Sequence, residues 1–392
     1  MNVLLLAPHP FYQERGTPIA VRFLASALAE DGHVVDILTY HEGQDVAFEG
    51  AVRIHRSPKP LLVGGIRPGF SLKKLACDAF MFPAALRLAR AGRYDAVHAV
   101  EESVFMAMRI RRRFGVPYVF DMDSSMPQQL AEKSALFRPL RPCLEWFETR
   151  AIRGAAAVAP MCQSLAEMAA ARGAARTVVL HDVPLFDPRA PAAPADLPPL
   201  PKPCFMYVGN LEGYQGVGLL IESFALYAAQ GGAGSLVIVG GAEAHVRGYR
   251  RLADRSGAGA RIFLVGPRPV AMMPSLFAAA DVLVSPRVKG VNTPMKIYSY
   301  LLSGKPVLAT DIASHTQVLD AEIAVLSACR AADMADGMRR LAEDTALRAR
   351  LAQNAAKRVQ EKYSLSSFKA RVRELYDGLA RFSRGTSASS PT

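Results

Sequence analysis

The sequence predicts an α/β protein made of two doubly wound parallel sheets, and three observations predict it. Short apolar runs, such as residues 1–7 and 204–208, carry the unbroken hydrophobicity of strands buried on both faces. Segments with helical spacing separate these runs, the alternation that builds parallel sheets. The alternation stops once, at PLFDPRAPAAPADLPPLPKP (184–203), and then restarts. Alternating proline and alanine form no packed element and make a stiff connector. With 392 residues the chain also exceeds what one core ordinarily holds, about 250–300 residues. The expected division is a first domain over 1–183, the connector 184–203, a second domain over 204–365, a final helix over 366–383 and a disordered tail over 384–392.

In the first half, residues 1–7 read as a strand and PHPFYQERG as a loop. Thr17 and Pro18 make a cap-and-proline helix start. That helix runs to Glu30 with Ala20, Phe23, Leu24, Ala27 and Leu28 inward, Gly32 stops it, and 34–38 is the next strand. Gly16 and Thr17 therefore sit at a helix N-terminus on the carboxyl edge of a sheet, although Gly16 is also an ordinary turn glycine. GxGxxG is absent, so there is no dinucleotide fingerprint. Residues 71–90 look helical, with Leu72, Leu75, Ala79, Phe82 and Leu86 on one side, basic ends and a kink at Pro83. The same pattern suits a core helix or one lying on an anionic membrane.

Strands at 94–99 and 118–120 flank a helix whose last turns carry Arg109, Arg111, Arg112 and Arg113, a solvated face. The second of these strands runs into DMDSS, placing Asp121, Asp123, Ser124 and Ser125 where sites in this architecture lie, with Glu101 and Glu102 after the preceding strand. Such carboxylates serve as a general base, bind sugar hydroxyls, hold a metal or merely cap a turn. Residues 133–153 mix Lys133, Arg138 and Arg150 with Phe137, Trp146 and Phe147, which suits a lipid headgroup, a polymer or simple core packing.

The second half repeats the theme, with strands at 204–208, 236–239, 262–265 and 282–284, a helix at 217–229 and the glycine loop GNLEGYQG. The chain from 285 to 311, SPRVKGVNTPMKIYSYLLSGKPVLATD, reads as strand end, loop, helix, glycine stop and strand. Thr293 as N-cap and Pro294 at the first helical position put Lys296 in the first turn. The helix dipole disfavours a cation there by about 0.3–1 kcal/mol unless an anion sits in front of it. Free N–H groups, a cation and a strand feeding the loop describe an anion pocket, with phosphate as the natural guest. Long amphipathic helices are expected over 334–363 and 367–382.

Composition narrows the partners. Fifty-one per cent hydrophobic and 21% charged residues describe a globular chain, and the net charge of +12 attracts nucleic acid, anionic lipid or phosphorylated substrates. No nucleic-acid reading module is present, so no nucleic acid is expected. No apolar run approaches the roughly 20 residues of a membrane span, and the N-terminus does not read as a signal peptide. Five cysteines, odd in number and without metal spacing, point to the reducing cytoplasm.

Four segments in order, ending AEDGHVVDIL, then GNLEGYQGVGLLIESF, RIFLVGPRPVAMMPSLFAAADVLVSPR and MKIYSYLLSGKPVLATD, resemble the retaining nucleotide-sugar glycosyltransferases of the GT-B fold, particularly family four. The resemblance covers most of both halves. It implies two Rossmann-like domains facing across a cleft, acceptor on the first and donor on the second, with the final helix returning to the first. It implies that Gly266 and its neighbours hold the base, while 209–216 and 292–299 hold ribose and diphosphate. The donor-binding candidates are thus Gly16, Thr17, Gly209, Asn210, Gln215, Gly266, Arg287, Asn292, Thr293 and Ser299. Lys296 and Asp123 are the catalytic candidates, and Glu101, Glu102 and Asp121 the acceptor-binding ones.

Departures accompany the likeness. Asn210 and Gln215 stand where the family usually has an arginine and a lysine, Ser299 stands at the second position of a glutamate pair, and Asp123 replaces a histidine. Arg268, Arg287 and Lys289 are candidates to restore the lost charge. The expected activity is transfer of a sugar from a nucleotide sugar to a saccharide or lipid-linked acceptor with retention, in polysaccharide or glycolipid synthesis. No cofactor or metal beyond the nucleotide-sugar co-substrate is expected, and the location is cytoplasmic, with peripheral contact to the membrane left open. The alternative is an inactive GT-B protein serving as a binding or scaffold subunit.

Overall fold

In a computed structural model the chain forms two compact units, one of residues Met1–His181 with Ser366–Thr392 and one of Asp182–Leu365. The structure describes residues 1–14, 16–61, 63–66, 71–133, 139–186 and 193–387.

The first unit opens with β1 (Asn2–Ala7), α1 (Gly16–Glu30), β2 (Val34–Thr39) and β3 (Val52–Arg56). Next come α2 (Leu72–Ala91), β4 (Ala96–Val100), α3 (Val104–Phe114) and β5 (Tyr118–Met122), then α4 (Met126–Lys133), α5 (Arg141–Gly154), β6 (Ala157–Pro160) and α6 (Gln163–Ala171). The six strands are parallel in the order β3-β2-β1-β4-β5-β6, the doubly wound arrangement the apolar runs predict. Strand β3 escapes the sequence reading, because VRIHR is half polar at the sheet edge. Arg53 and His55 point there at Asp36, with Arg53 Nε 2.8 Å from the carboxylate.

Two helices differ from expectation. α1 starts at Gly16, so Thr17 lies inside the first turn rather than capping it, and Ile19, Val21 and Ala25 join the buried side in place of Ala20 and Phe23. On α2 the apolar side is split: Phe82 and Leu86 are half-buried against the core beside the buried Cys77, Met81, Ala84, Ala85 and Ala89, while Leu72, Leu75 and Ala79 face outward. Lys74 is buried on the inner side as well, where it meets Glu102 and Glu101. Ser71 caps this helix by accepting from Lys74 N at 3.2 Å, and Pro83 leaves it continuous.

The second unit runs β7 (Cys204–Val208), α7 (Val217–Ala229), β8 (Ser235–Val239), α8 (Glu243–Arg255), β9 (Ile262–Gly266), α9 (Met273–Ala279) and β10 (Val282–Ser285). It continues with α10 (Lys296–Leu302), β11 (Val307–Thr310), α11 (Ala313–Thr316), β12 (Ala324–Ser327), α12 (Ala331–Glu343) and α13 (Thr345–Lys362). Its parallel sheet has the order β12-β11-β10-β7-β8-β9. Strand side chains alternate between two cores. Phe205, Tyr207 and Val284 lie under α7 and α12, and Met206, Leu283 and Ala309 lie against α9, α10 and α13.

The single helix expected over 334–363 is two, divided at Asp344, whose carboxylate accepts from Leu347 N at 2.7 Å and caps α13. The described part of the proline connector is irregular as expected, yet not free of the core. Phe186, Ala195, Leu197 and Leu200 pack on the second unit, and Phe186 meets Phe277 at 5.5 Å between ring centroids. Its residues 187–192 lie outside the described residues.

The last helix, α14 (Leu365–Ser387), extends past the expected stop at 383, and residues 388–392 lie outside the described residues. It belongs to the first unit, where Val372, Leu375, Tyr376 and Leu379 are buried and Arg373 and Lys369 pair with Asp31 and Glu30 at the end of α1.

Candidate functional site

At the carboxyl edge of the second sheet the loops after β7, β8 and β10 are locked together through their backbones. A Cβ on Gly240 would lie 2.0 Å from the Gly209 carbonyl oxygen, and one on Gly216 would lie 1.9 Å from that of Pro286. Both glycines have positive φ, +112° and +71°, so only glycine fits. Val288 N donates to Tyr214 O at 2.9 Å, completing the join between the 210–216 turn and the loop after β10.

Arg287 holds the loop after β10 in shape. Its Nε donates to Lys289 O at 2.7 Å, and Nη1 and Nη2 reach Asn292 O and Oδ1 at 3.1 and 2.9 Å. Gly290 makes room for it, since a Cβ there would sit 2.0 Å from Nη2. The guanidinium also lies 5.3 Å from the centroid of Tyr214, an exposed ring. Two residues expected to bind donor, Arg287 and Asn292, thus bind each other. The fork geometry of arginine explains the choice of residue.

Lys296 is the desolvated cation of this edge. Its Nζ donates to Gln215 Oε1 at 2.8 Å and stands 4.0 Å above the ring of Tyr207, whose hydroxyl donates to Asn210 O at 2.5 Å. Among the described residues it has no carboxylate partner. Burial, then the charge of Arg287, holds its pKa well below that of an ordinary lysine.

The expected start of α10 is corrected. The helix begins at Lys296, and Ile297 N bonds Pro294 O at 2.9 Å in a turn ahead of it. Thr293 is not an N-cap; its hydroxyl is buried with no partner among the described residues. The local capping signal loses because 291–292 is pinned by Gln317 and Arg287.

The other donor candidates fall into two groups. Asn210 turns its side chain back on Glu212 N at 3.2 Å, and Gly266, with φ +72°, accepts from Gly240 N at 2.8 Å beside open space. Ser299 does not reach the edge: it is fully buried and accepts from Leu185 N at 2.9 Å. Arg268 folds onto Val265 O and Pro267 O, and Lys289 is exposed.

Sequence reasoning missed His315. It is buried, with Nδ1 donating to Thr310 O at 2.8 Å and Nε2 accepting from Ser285 at 2.9 Å, so it ties the ends of β10 and β11. Burial pushes its pKa down to about 4, and the Thr310 carbonyl only partly opposes this. A histidine between two apolar strands carries no sequence signal of this role.

In the first unit the carboxyl ends of β4 and β5 bring Glu101, Glu102, Asp121 and Asp123 to one edge. Glu101 adopts φ +48°, rare for a non-glycine residue. Lys74 joins them from α2, as does Asp78, which accepts from Tyr40 at 2.6 Å. Neither was legible as a site residue. Burial and the charge of Glu102 raise the pKa of both Asp78, to about 7, and Glu101. Asp121 lies 3.2 Å from Nε2 of the buried His98, whose Nδ1 is 3.0 Å from the Tyr376 hydroxyl on α14. Gly16 and Thr17 stand at the start of α1, where a Cβ on Gly16 would meet nothing. Among the described residues no cluster suited to a metal ion occurs.

Residues 15–182 match the family described as Glycosyl transferase 4-like domain, and residues 193–358 match Glycosyl transferases group 1. The chain is 26% identical over 278 residues to the alpha-D-kanosaminyltransferase of Streptomyces kanamyceticus, covering 68% of this chain and 71% of that one. Sucrose-phosphate synthase from Thermosynechococcus elongatus superimposes with a TM-score of 0.75 at 22% identity, covering 97% of this chain and 99% of that one. Anabaena HepE in complex with UDP gives 0.72 at 17% identity, covering 96% and 100%. WaaG, a glycosyltransferase involved in lipopolysaccharide biosynthesis, gives 0.68 at 17%, covering 95% and 99%. These structures share the GT-B architecture of paired parallel sheets.

Proposed function

Because the chain belongs to the group 1 glycosyltransferases, with a glycosyl transferase 4-like domain ahead of it, we propose that it moves a sugar from a nucleotide-diphosphate sugar to a saccharide or lipid-linked acceptor. The reading extends to retention at the anomeric carbon, no metal requirement, and a role in envelope polysaccharide or glycolipid synthesis. Anabaena HepE forms complexes with UDP and with UDP-glucose, which supports a donor of this class.

The observation that carries the proposal is Lys296, a desolvated amine whose partners are neutral. An arriving diphosphate supplies the missing negative charge and raises the lysine pKa. The same cation then stabilises the charge that grows on the leaving diphosphate. The buried hydroxyl of Thr293 is a second group wanting a partner in that segment. In the first unit, Asp123, Asp121, Glu101 and Glu102 orient acceptor hydroxyls.

Asn210, Gln215 and Ser299 favour a second reading, a protein that binds nucleotide without transferring sugar. Release of nucleoside diphosphate from a panel of nucleotide sugars, run with wild type and Lys296→Ala, separates the two. Turnover that drops about 10²–10³-fold in the variant supports the transferase. Nucleotide binding with no release from any donor supports the second reading.

A further inference from the structure

The turn between β5 and α4 carries Asp123 and Ser124, and a buried carboxylate from another helix lies against its far end. Glu148 of α5 is 3% exposed. Its Oε2 accepts from Ser125 Oγ at 2.9 Å and its Oε1 from Met126 N at 2.9 Å, while the Arg172 guanidinium at the end of α6 pairs with Oε2. Ser125 is fully buried as well. Met126 N belongs to the first turn of α4, whose N–H groups have no partner in their own helix, so Glu148 caps α4 from 22 residues away.

The anchor is itself held. Arg153, also on α5, donates from Nε to Arg172 O at 3.0 Å and lies over Gly173, where a Cβ would stand 3.3 Å from that nitrogen.

Stability alone does not account for this arrangement. Burial raises the pKa of Glu148 against the opposing pull of Ser125 and Arg172, so ionising this carboxylate costs more than it would in water. Buried ion pairs are often replaced by apolar side chains with no loss of stability. What an apolar pair cannot supply is two acceptor atoms aimed at Ser125 and Met126.

The near side of the turn is tied in a similar way. Asp121 Oδ2 lies 3.2 Å from Nε2 of the buried His98, and Ser124 Oγ reaches Glu101 Oε1 at 3.5 Å. Asp123 stands between Asp121 and Ser125, the two fixed ends.

We propose that Glu148 is a positioning residue for Asp123, fixing the turn after β5 so that this carboxylate meets an acceptor hydroxyl in one arrangement; this rests on the reading of the edge as the acceptor side. Glu148 touches no substrate and acts through Ser125 and Met126. Without it Asp123 samples other orientations, and a misplacement of about 1 Å costs about 10²-fold in rate.

Glu148→Met with Arg172→Met removes the anchor without leaving a buried charge unpaired. Ser125→Ala, which deletes one hydroxyl, covers the case in which the double variant fails to fold. Hydrogen exchange of the full chain reads the backbone over 123–126 directly. The double variant is expected to exchange there at least tenfold faster, while β6 keeps its protection and the thermal midpoint is held or raised; Ser125→Ala shifts the same amides less.

Function is read with a panel of nucleotide sugars, UDP-glucose included, and methyl glycosides of glucose, galactose and mannose as acceptors. The ratio of transfer to hydrolysis of the donor does not depend on how much protein is active, so a merely structural defect leaves it alone. It is expected to fall at least tenfold in the double variant. With no glycoside accepted, the exchange comparison alone decides.

Unchanged exchange over 123–126 overturns the proposal, as does faster exchange with the wild-type ratio. Asp123→Asn keeps the two readings apart. If it leaves the ratio as in wild type, the acceptor reading fails; if it lowers the ratio and the double variant does not, the positioning role alone fails.

Discussion

Gln215 accepts from Lys296 Nζ at 2.8 Å at the carboxyl edge of the second sheet. The pairing keeps a lone desolvated amine hydrogen-bonded without giving it a counter-charge. A lysine at 215 would set two cations side by side in a site of low polarity. We expect Gln215→Lys to lower stability by about 1–3 kcal/mol without ligand, a loss that nucleoside diphosphate reverses. Thermal unfolding with and without the nucleotide measures both effects, and a variant as stable as wild type in its absence would contradict the account.

Arg287 acts on loop shape. Arg287→Lys keeps the charge but cannot span Lys289 O, Asn292 O and Asn292 Oδ1 together. Donor KM is expected to rise about tenfold or more while acceptor KM holds, with a stability loss of about 1–3 kcal/mol. Steady-state kinetics against each substrate in turn decides it.

Gly216 tests the join between the loops. With φ +71° and the Pro286 carbonyl oxygen 1.9 Å from where a Cβ would stand, Gly216→Ala forces the two loops apart. The expectation is a loss of several kcal/mol, beyond the usual 0.5–3 kcal/mol of a point change, read from denaturant midpoints. Gly16→Ala, where a Cβ meets nothing, serves as the neutral comparison.

Two buried groups couple stability to pH with opposite signs. His315 has its pKa depressed to about 4 from 6.5, so the unfolded chain binds the proton first. Its contribution is present above about pH 6.5 and is lost as pH falls toward 4, about 3 kcal/mol in all. Asp78 is raised from 3.8 to about 7, so its contribution is present below about pH 4 and is lost as pH rises through 7. The windows overlap, so the two contributions oppose each other in the wild-type curve. Subtracting the curves of His315→Gln and Asp78→Asn exposes slopes of opposite sign between pH 4 and 7, and slopes of like sign would refute the assignment.

The two parallel sheets were legible because each inner strand is buried on both faces and must read as an apolar run. Strand β3 was not, since VRIHR lies at an edge and spends its polar side chains on Asp36. Lys296 was legible as an anion-binding candidate from the loop and helix around it, whereas the helix start was misplaced by two residues. Thr293 and Pro294 have the right chemistry for a cap, but Gln317 and Arg287 draw the chain into another shape.

What the sequence alone determined is the division into two α/β halves, the edge on which each set of polar residues gathers, and the family. Hydrophobic period and glycine placement act over short spans, so they can be read along the chain. Only the tertiary structure decided that Arg287 binds its own loop, that Ser299 is buried against the backbone of Leu185, that His315 ties two strands, and that α2 turns Leu72 and Leu75 outward. Each of these depends on contacts that the neighbouring residues in sequence do not specify. Local pattern carries no record of which of those contacts prevails.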